Sequence, residues 1–234
     1  MHIMTQASLA ALLLAAATTI HAGPGALEIN QACVEEGCFP GDNPGFPVEI
    51  NSSGAYVLTS DVVTPDATTT AISIRSENVT FDLGGFTIRG TNQCTGLSAE
   101  GCIDTSLSGY GIQSSKRNIV VRNGITRGFG FGGIVLTGEL SRIEQVRSEH
   151  NYRVGLRIGE GGTIIDSQAN FNGYLGIECA AARILRVSVM NNGQTGVASA
   201  RSIIDGSIIT RNAGNGIGDS YGSIIRDSTI SLNG

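Results

Sequence analysis

Residues 151–217 repeat one short pattern, which reads NYRVGL at 151–156, NGYLGI at 172–177, NGQTGV at 192–197 and NAGNGI at 212–217. Each copy consists of an Asn, three variable residues, a Gly and an aliphatic residue. The Gly-aliphatic pair also occurs at 133–134 and 111–112 without the Asn, so the aliphatic residue recurs in steps of 22, 22, 21, 20 and 20 residues. A fixed period of about twenty is typical of a solenoid, in which each repeat is one supersecondary unit.

Each period also contains short runs of β-branched residues, such as TIID at 163–166, SIID at 202–205 and SIIR at 223–226, with second runs at 187–189 and 207–210. Three strands of about three to five residues, separated by Gly, Asn and Ser, fill the period and leave no room for a helix with an i, i+3, i+4 apolar stripe. The pattern therefore predicts an all-β fold, a parallel β-helix with three short strands per coil and about eight coils. Each strand is expected to pair with its copy on the next coil, about 4.8 Å away.

The repeating Asn residues form one column in this arrangement: Asn151, Asn172, Asn192, Asn212 and Asn233. An Asn in a tight turn accepts left-handed backbone angles, and its amide can hydrogen bond to its copies above and below. We expect the Gly that follows three of these residues, as at Gly173, to supply a positive φ without a Cβ clash. We interpret the column as an internal structural ladder, and a sugar-binding row is the alternative.

The composition fits a chain with many turns and an aliphatic interior. Of the 234 residues 33 are Gly, Trp is absent and only 15% are charged. The net charge of −5 argues against a nucleic-acid surface.

Residues 1–22 are typical of a secretory signal peptide. Their apolar core at 9–17 is too short to span a bilayer, and small residues follow it. A buried N-terminal helix is the alternative. No later apolar run is long enough for a membrane span, so we predict a secreted or periplasmic protein.

Five Cys residues agree with export. Cys33 and Cys38 lie in one short, turn-rich segment, and Cys94 and Cys102 bracket an insertion that contains Gly and Ser. Four Cys allow three pairings, of which we favour the two local ones. Neither pair has the spacing or the His partners of a zinc site, and no metal or cofactor is predicted.

The fifth Cys, Cys179, lies two residues after a repeating aliphatic residue, in a column with Leu136 and Ile158. Alternation along a strand points this column inward. We therefore interpret Cys179 as a buried core thiol and not as a nucleophile.

The two ends of the chain differ from the repeats. Residues 23–46 are predicted to form an N-terminal cap, with one short helix over 28–36 and a breaker-rich loop after it, because a bare strand edge would pair with other chains. The β-helix is predicted over 47–234, with one long insertion at 90–110. The last two residues, Asn233 and Gly234, are the middle of a repeat. We expect either that the natural chain continues or that the open end is buried by end-to-end self-association.

Three features resemble right-handed parallel β-helix repeat proteins of the pectin-lyase-like superfamily: NVTFDLGGFTI at 78–88, NIVVRNG at 118–124 and the N-G-x-x-G-I coils. CFPGD at 38–42 and the loop at 94–102 resemble a secreted bacterial subgroup of it. The resemblance covers about residues 28–234. It implies a right-handed solenoid and a role connected with carbohydrate, since that superfamily includes pectate and alginate lyases, polygalacturonases, epimerases, phage tailspikes and adhesins. Fold alone does not decide among these roles.

The catalytic motifs that the resemblance would bring are missing. The sequence has no paired Asp, no Gly-His-Gly and no Asp-Pro-His-Asp, and its three His residues are His2, His21 and His150. No column holds two carboxylates on adjacent coils, as a Ca²⁺ site of the pectate-lyase kind would need.

One group of polar and aromatic residues comes together when the coils are stacked by the period: His150, Tyr152, Arg153, Arg157, Tyr174 and Glu178. A lyase that removes the proton next to a uronate carboxylate needs a cation to neutralise that carboxylate and a base within reach. The substrate-binding candidates are Arg153, Arg157, Tyr174 and Glu178, and the catalytic candidates are Arg157, Glu178 and His150, with Tyr152 or Tyr174 as further proton carriers. The alternative is an exposed Arg–Glu pair worth at most about 1 kcal/mol.

Two functions are therefore compared below. The first is a secreted protein that binds or processes an acidic polysaccharide, with lyase-like or glycosidase-like chemistry if it is an enzyme. The second is a non-catalytic structural or cell-surface repeat module, which the missing acid and base motifs favour.

Overall fold

A computed structural model describes residues 25–96, 98, 101–103, 105 and 107–234. The predicted signal peptide lies outside the described residues. The strands in chain order are β1 (Ala26–Ile29), β2 (Val48–Ile50), β3 (Gly54–Leu58), β4 (Val62–Val63), β5 (Ile72–Ile74), β6 (Val79–Asp82), β7 (Thr87–Arg89), β8 (Tyr110–Ser114), β9 (Ile119–Arg127), β10 (Gly132–Leu136), β11 (Arg142–Glu149), β12 (Val154–Ile158), β13 (Thr163–Ile165), β14 (Gln168–Asn170), β15 (Leu175–Ala180), β16 (Arg183–Leu185), β17 (Ser188–Met190), β18 (Val197–Ala200), β19 (Ile203–Asp205), β20 (Ile208–Thr210), β21 (Ile217–Gly218), β22 (Ile224–Arg226) and β23 (Thr229–Ser231).

These strands form two parallel sheets that wrap one solenoid. The eight-stranded sheet has the order β2-β5-β8-β10-β12-β15-β18-β21, one strand from each coil. The 15-stranded sheet supplies the other two sides of the coil, as a row from β1 to β22 and a row from β4 to β23, and the long strands β9 and β11 pass through both rows. The prediction of an all-β parallel solenoid with about eight coils is confirmed.

The aliphatic residue of the repeat forms the central column of the core. Along the eight-stranded sheet, five of these residues pair in register and are fully buried: Ile112, Ile134, Leu156, Ile177 and Val197. Burying one such side chain contributes about 1.5–3 kcal/mol. Since each coil adds one copy to the column, the sequence period is the length of one turn of the solenoid.

The Asn column lies inside one corner of the solenoid. Asn172 and Asn192 are both 0% exposed. The Oδ1 of Asn192 accepts two hydrogen bonds from Asn172, one from its backbone N–H at 3.1 Å and one from its Nδ2 at 3.0 Å. The Nδ2 of Asn192 donates to Asn212 Oδ1 at 2.8 Å and to the Ala169 carbonyl oxygen at 3.0 Å. The same bonds join Asn151 to Asn172 and Asn212 to Asn233.

The Gly of the repeat is explained by this column. A Cβ on Gly176 would lie 2.7 Å from Asn192 Nδ2, and a Cβ on Gly196 would lie 2.6 Å from Asn212 Nδ2. Each Gly therefore leaves space for the Asn amide of the next coil. The N-x-x-x-G pattern therefore reflects a contact between neighbouring coils and not the requirement of a local turn.

The expected left-handed conformation of the Asn residues is wrong. The positive φ falls on the residue before each Asn, at 54° to 57°: His150, Phe171, Asn191, Arg211 and Leu232. Gly173 and Gly234, which follow their Asn residues, have no positive φ. The residue with positive φ turns the chain so that the side chain of the following Asn points inward. A positive φ is unfavourable for a residue with a side chain, and the hydrogen bonds of the Asn column hold the corner in that conformation.

The short helix expected over 28–36 is not confirmed. The chain forms β1, whose residues pair with β3 in the register Ala26↔Ala55 to Ile29↔Leu58, and one 3₁₀ turn at Cys33–Glu35. Local helix propensity decides secondary structure only weakly, and here the pairing of β1 with the edge of β3 outweighs it.

Two disulfides, Cys33–Cys38 and Cys94–Cys102, join the local pairs that were favoured from the sequence. They are compatible with an extracellular protein. Among the residues that the structure describes, none belongs to a helix long and apolar enough to cross a membrane. The buried position expected for Cys179 is confirmed, since it is 8% exposed and burial raises the pKa of its thiol to about 11.

Replacing Asn192 by Ala should lower the free energy of unfolding by about 1–3 kcal/mol, because it leaves the buried N–H groups of Asn172 without their acceptor. Thermal and chemical denaturation measure the change. Asn215→Ala is the matched control, since Asn215 is exposed and lies outside the column. Overlaying unfolding curves for Asn192→Ala and the parent protein would refute a stabilising ladder.

Cys179 should resist thiol reagents at pH 8 in the folded protein, because its raised pKa leaves almost no thiolate and its sulfur is buried. Denaturation without reductant should expose one thiol per chain, and Cys179→Ser should remove that thiol. Rapid labelling of the folded protein would contradict the buried position.

Candidate functional site

One outward-facing column of the eight-stranded sheet forms the floor of a long groove. Its residues pair in register from coil to coil: Glu49, Ser73, Gln113, Val135, Arg157, Glu178, Ala198 and Gly218. Three adjoining cavities of about 400, 180 and 430 Å³ lie over this floor and share lining residues where they meet. Together they form a continuous groove parallel to the solenoid axis.

The near half of the groove, from Ser73 to Arg157, is aromatic and cationic. The rings of Tyr110 and Phe131 lie on one wall with their centroids 4.8 Å apart. Three cations line the same cavity of about 400 Å³: Arg75, Lys116 and Arg157. The near half therefore combines flat apolar surfaces with positive charge.

Ion pairs hold two of these cations in place. Arg75 pairs with Glu49 at 2.5 Å, and Arg157 pairs with Glu178 at 3.5 Å. Within the described residues, Lys116 has no carboxylate within ion-pair distance. It is the one Lys of the sequence, and its charge is available to a ligand.

The far half of the groove, from Glu178 to Asp219, has a different lining. Its cavity of about 430 Å³ is lined by uncharged polar side chains, with Gln194, Thr195 and Asn215 among them, together with small and aliphatic residues. Its acidic lining consists of Glu178 and Asp219, and none of the Arg and Lys residues that the structure describes lines this cavity.

Glu178 lies where the two halves meet. Its Oε1 faces Arg157, whereas its Oε2 is buried and accepts no hydrogen bond from any residue that the structure describes. A buried polar atom without a partner is unusual and costs stability. Because Oε2 is shielded from solvent, a ligand in the groove can contact only the remaining part of this side chain, which is 29% exposed overall.

The structure separates the candidate residues into two places. Arg157 and Glu178 lie in the groove, and the guanidinium of Arg153 lies over the Phe131 ring at 5.4 Å, on the groove wall. His150 is not among the groove-lining residues. Its Nδ1 is 2.6 Å from the Cys94 carbonyl oxygen, which can only accept, so Nδ1 carries the proton.

The insertion at 90–110 accounts for the position of the remaining candidates. Tyr152 is buried in a small cluster with Cys94 and Cys102, and Tyr174 packs against that cluster. The two Tyr rings meet edge to face at 5.2 Å. Their hydroxyl contact, together with burial, raises the pKa of Tyr152 above its ordinary value. Tyr152 and Tyr174 therefore help to seat the disulfide-closed insertion against the solenoid.

The near half of the groove contains five charged, aromatic or amide residues that were not identified from the sequence: Arg75, Tyr110, Gln113, Lys116 and Phe131. A signal existed for Gln113, because it follows the repeating Ile112 as Arg157 follows Leu156. The insertion lies between Arg75 and Lys116 in the sequence, so counting by the regular period does not place these two residues next to each other. In the described part of the chain, no three His, Cys, Asp or Glu side chains cluster so as to hold a metal ion.

No family model matches the sequence, and no curated protein matches it. Among solved structures, the chain is similar to the A-module of a mannuronan C-5 epimerase from Azotobacter vinelandii, with 12% identity over 83% of this chain and 69% of that chain and a TM-score of 0.28. A similarity of that degree carries no argument about ligand or activity.

Proposed function

We propose that this protein binds an acidic polysaccharide along the groove of its eight-stranded sheet. The observation that carries the proposal is the near half of the groove, where Arg75, Lys116 and Arg157 lie beside the tilted ring pair of Tyr110 and Phe131. Arg and Lys bind carboxylates through charge-assisted hydrogen bonds, and aromatic faces supply the apolar surface on which sugar rings stack.

The shape of the groove favours a polymer over a small ligand. It crosses seven strands from β5 to β21, which at the usual strand spacing is about 29 Å. One pyranose unit in an extended chain advances by a distance close to that spacing. Successive coils would therefore contact successive sugars, and the cations of the near half would meet their carboxylates.

Replacing Lys116 or Arg157 by Ala should weaken binding of pectate, alginate or chondroitin oligosaccharides about tenfold, the effect of losing one charge-assisted hydrogen bond. Isothermal titration calorimetry at low and high salt measures it, and the affinity of the parent protein should fall as salt rises.

Arg186→Ala is the matched control for this experiment. Arg186 carries the same charge, pairs with Asp166 on the 15-stranded sheet and lies away from the groove. Its replacement should leave the affinity unchanged. If the parent protein binds none of the three glycans, the polysaccharide proposal fails and the structural or cell-surface module becomes the better description.

A lyase-like reaction is the second candidate, favoured by the carboxylate of Glu178, which lies in the groove with its Oε1 3.5 Å from the guanidinium of Arg157. In such an elimination Glu178 would take the proton next to a uronate carboxylate, Arg157 would neutralise that carboxylate, and the glycosidic C–O bond would break as a C=C bond forms. The leaving oxygen would then take a proton from water.

Unsaturated uronate products absorb in the ultraviolet, so absorbance during incubation with each glycan tests this reaction. Glu178→Gln should abolish the signal without changing the melting temperature, and Arg186→Ala should retain it. Absence of any signal from a parent protein that binds these glycans would exclude the lyase and leave the binding function.

A further inference from the structure

The groove changes its electrostatic character at the contact between Arg157 and Glu178. We propose, on the basis of the function proposed above, that the ligand is a mixed polysaccharide: a uronate stretch occupies the near half of the groove, and uncharged sugars occupy the far half. Glu178 marks the boundary between them.

The near half matches a run of carboxylates. Its floor and walls carry Arg75, Lys116 and Arg157, with Arg153 over the adjoining Phe131 ring. Two acids lie at the ends of this region and are already paired, Glu49 with Arg75 and Glu178 with Arg157, which leaves the charge of Lys116 free for a ligand. Four strands, β5, β8, β10 and β12, form this floor, which is room for about four sugar units at the strand spacing.

The far half would repel a carboxylate. Glu178 and Asp219 both line it; Glu178 is paired with Arg157 at the boundary, whereas Asp219 makes no ion pair with any described residue. None of the Arg and Lys residues that the structure describes lines this cavity. Like charges brought together in a partly desolvated groove oppose binding. A polyuronate that extended past Glu178 would therefore gain little from the additional contacts.

The same lining suits the hydroxyl groups of neutral sugars. The amides of Gln194 and Asn215 line this cavity and can both donate to and accept from sugar hydroxyls. The Thr195 side chain adds a further hydroxyl to this wall.

Oligouronates of increasing length test the proposal. The affinity of the parent protein should rise up to about four units, the length of the near half, and then stay level through eight units. Asp219→Asn should raise the affinity for the octamer about threefold, by removing one like charge, and should not change the affinity for the tetramer.

Asp227→Asn is the control, because Asp227 is also an exposed corner residue with positive φ but lies outside the groove. A parent affinity that climbs evenly to the octamer, with no effect of Asp219→Asn, would overturn the division of the groove while leaving polyuronate binding intact. Failure of every oligomer to bind the parent protein would instead remove the proposed function itself, and this inference with it.

Discussion

The contact between an Asn amide and a Gly of the neighbouring coil is the constraint on which the rest of the structure depends. The side chains of Asn172 and Asn192 are fully shielded from solvent, so their hydrogen-bond donors and acceptors must find partners inside the protein. They achieve this by bonding to the next Asn and to a backbone carbonyl. Because a Cβ on the facing Gly would collide with the amide, each coil can stack on the next in only one register.

That register generates the columns inside and outside the solenoid. Inside, the aliphatic residues stack to form a continuous core. Outside, residues one period apart become neighbours, which is how Arg157 meets Glu178 and how Arg186 meets Asp166. The groove is one such outer column, with walls supplied by the residues on either side of each strand. One half contains Arg and Lys side chains, and the other half is lined by acidic and uncharged polar ones. This difference arises from the order in which the coils are stacked and not from any single coil.

The insertion at 90–110 is the main departure from this regularity. It is closed by the Cys94–Cys102 disulfide and packs beside the Asn corner, where a Cβ on Gly173 would lie 2.6 Å from Cys102 Sγ. His150 donates to the backbone of this segment. His150, Tyr152 and Tyr174 contact this insertion, and a ligand in the groove therefore does not reach them.

The sequence by itself determined whatever depends on residues one period apart. The solenoid, its core column, the Asn column and the Arg157–Glu178 contact all follow from counting about twenty residues along the chain, because parallel pairing makes such residues neighbours. The two local Cys pairs were also predictable, since each lies in one short segment.

Only the tertiary structure decided the rest. The left-handed residue precedes the Asn because the corner must turn the amide inward, and residues 26–29 are a strand because the edge of β3 pairs with them. Lys116 lies beside Arg75 in the groove although the insertion separates them in the sequence. His150 lies outside the groove because it hydrogen bonds to the insertion, which packs against later coils. Such contacts depend on where a corner or a loop closes in space, which the spacing of residues along the chain does not encode.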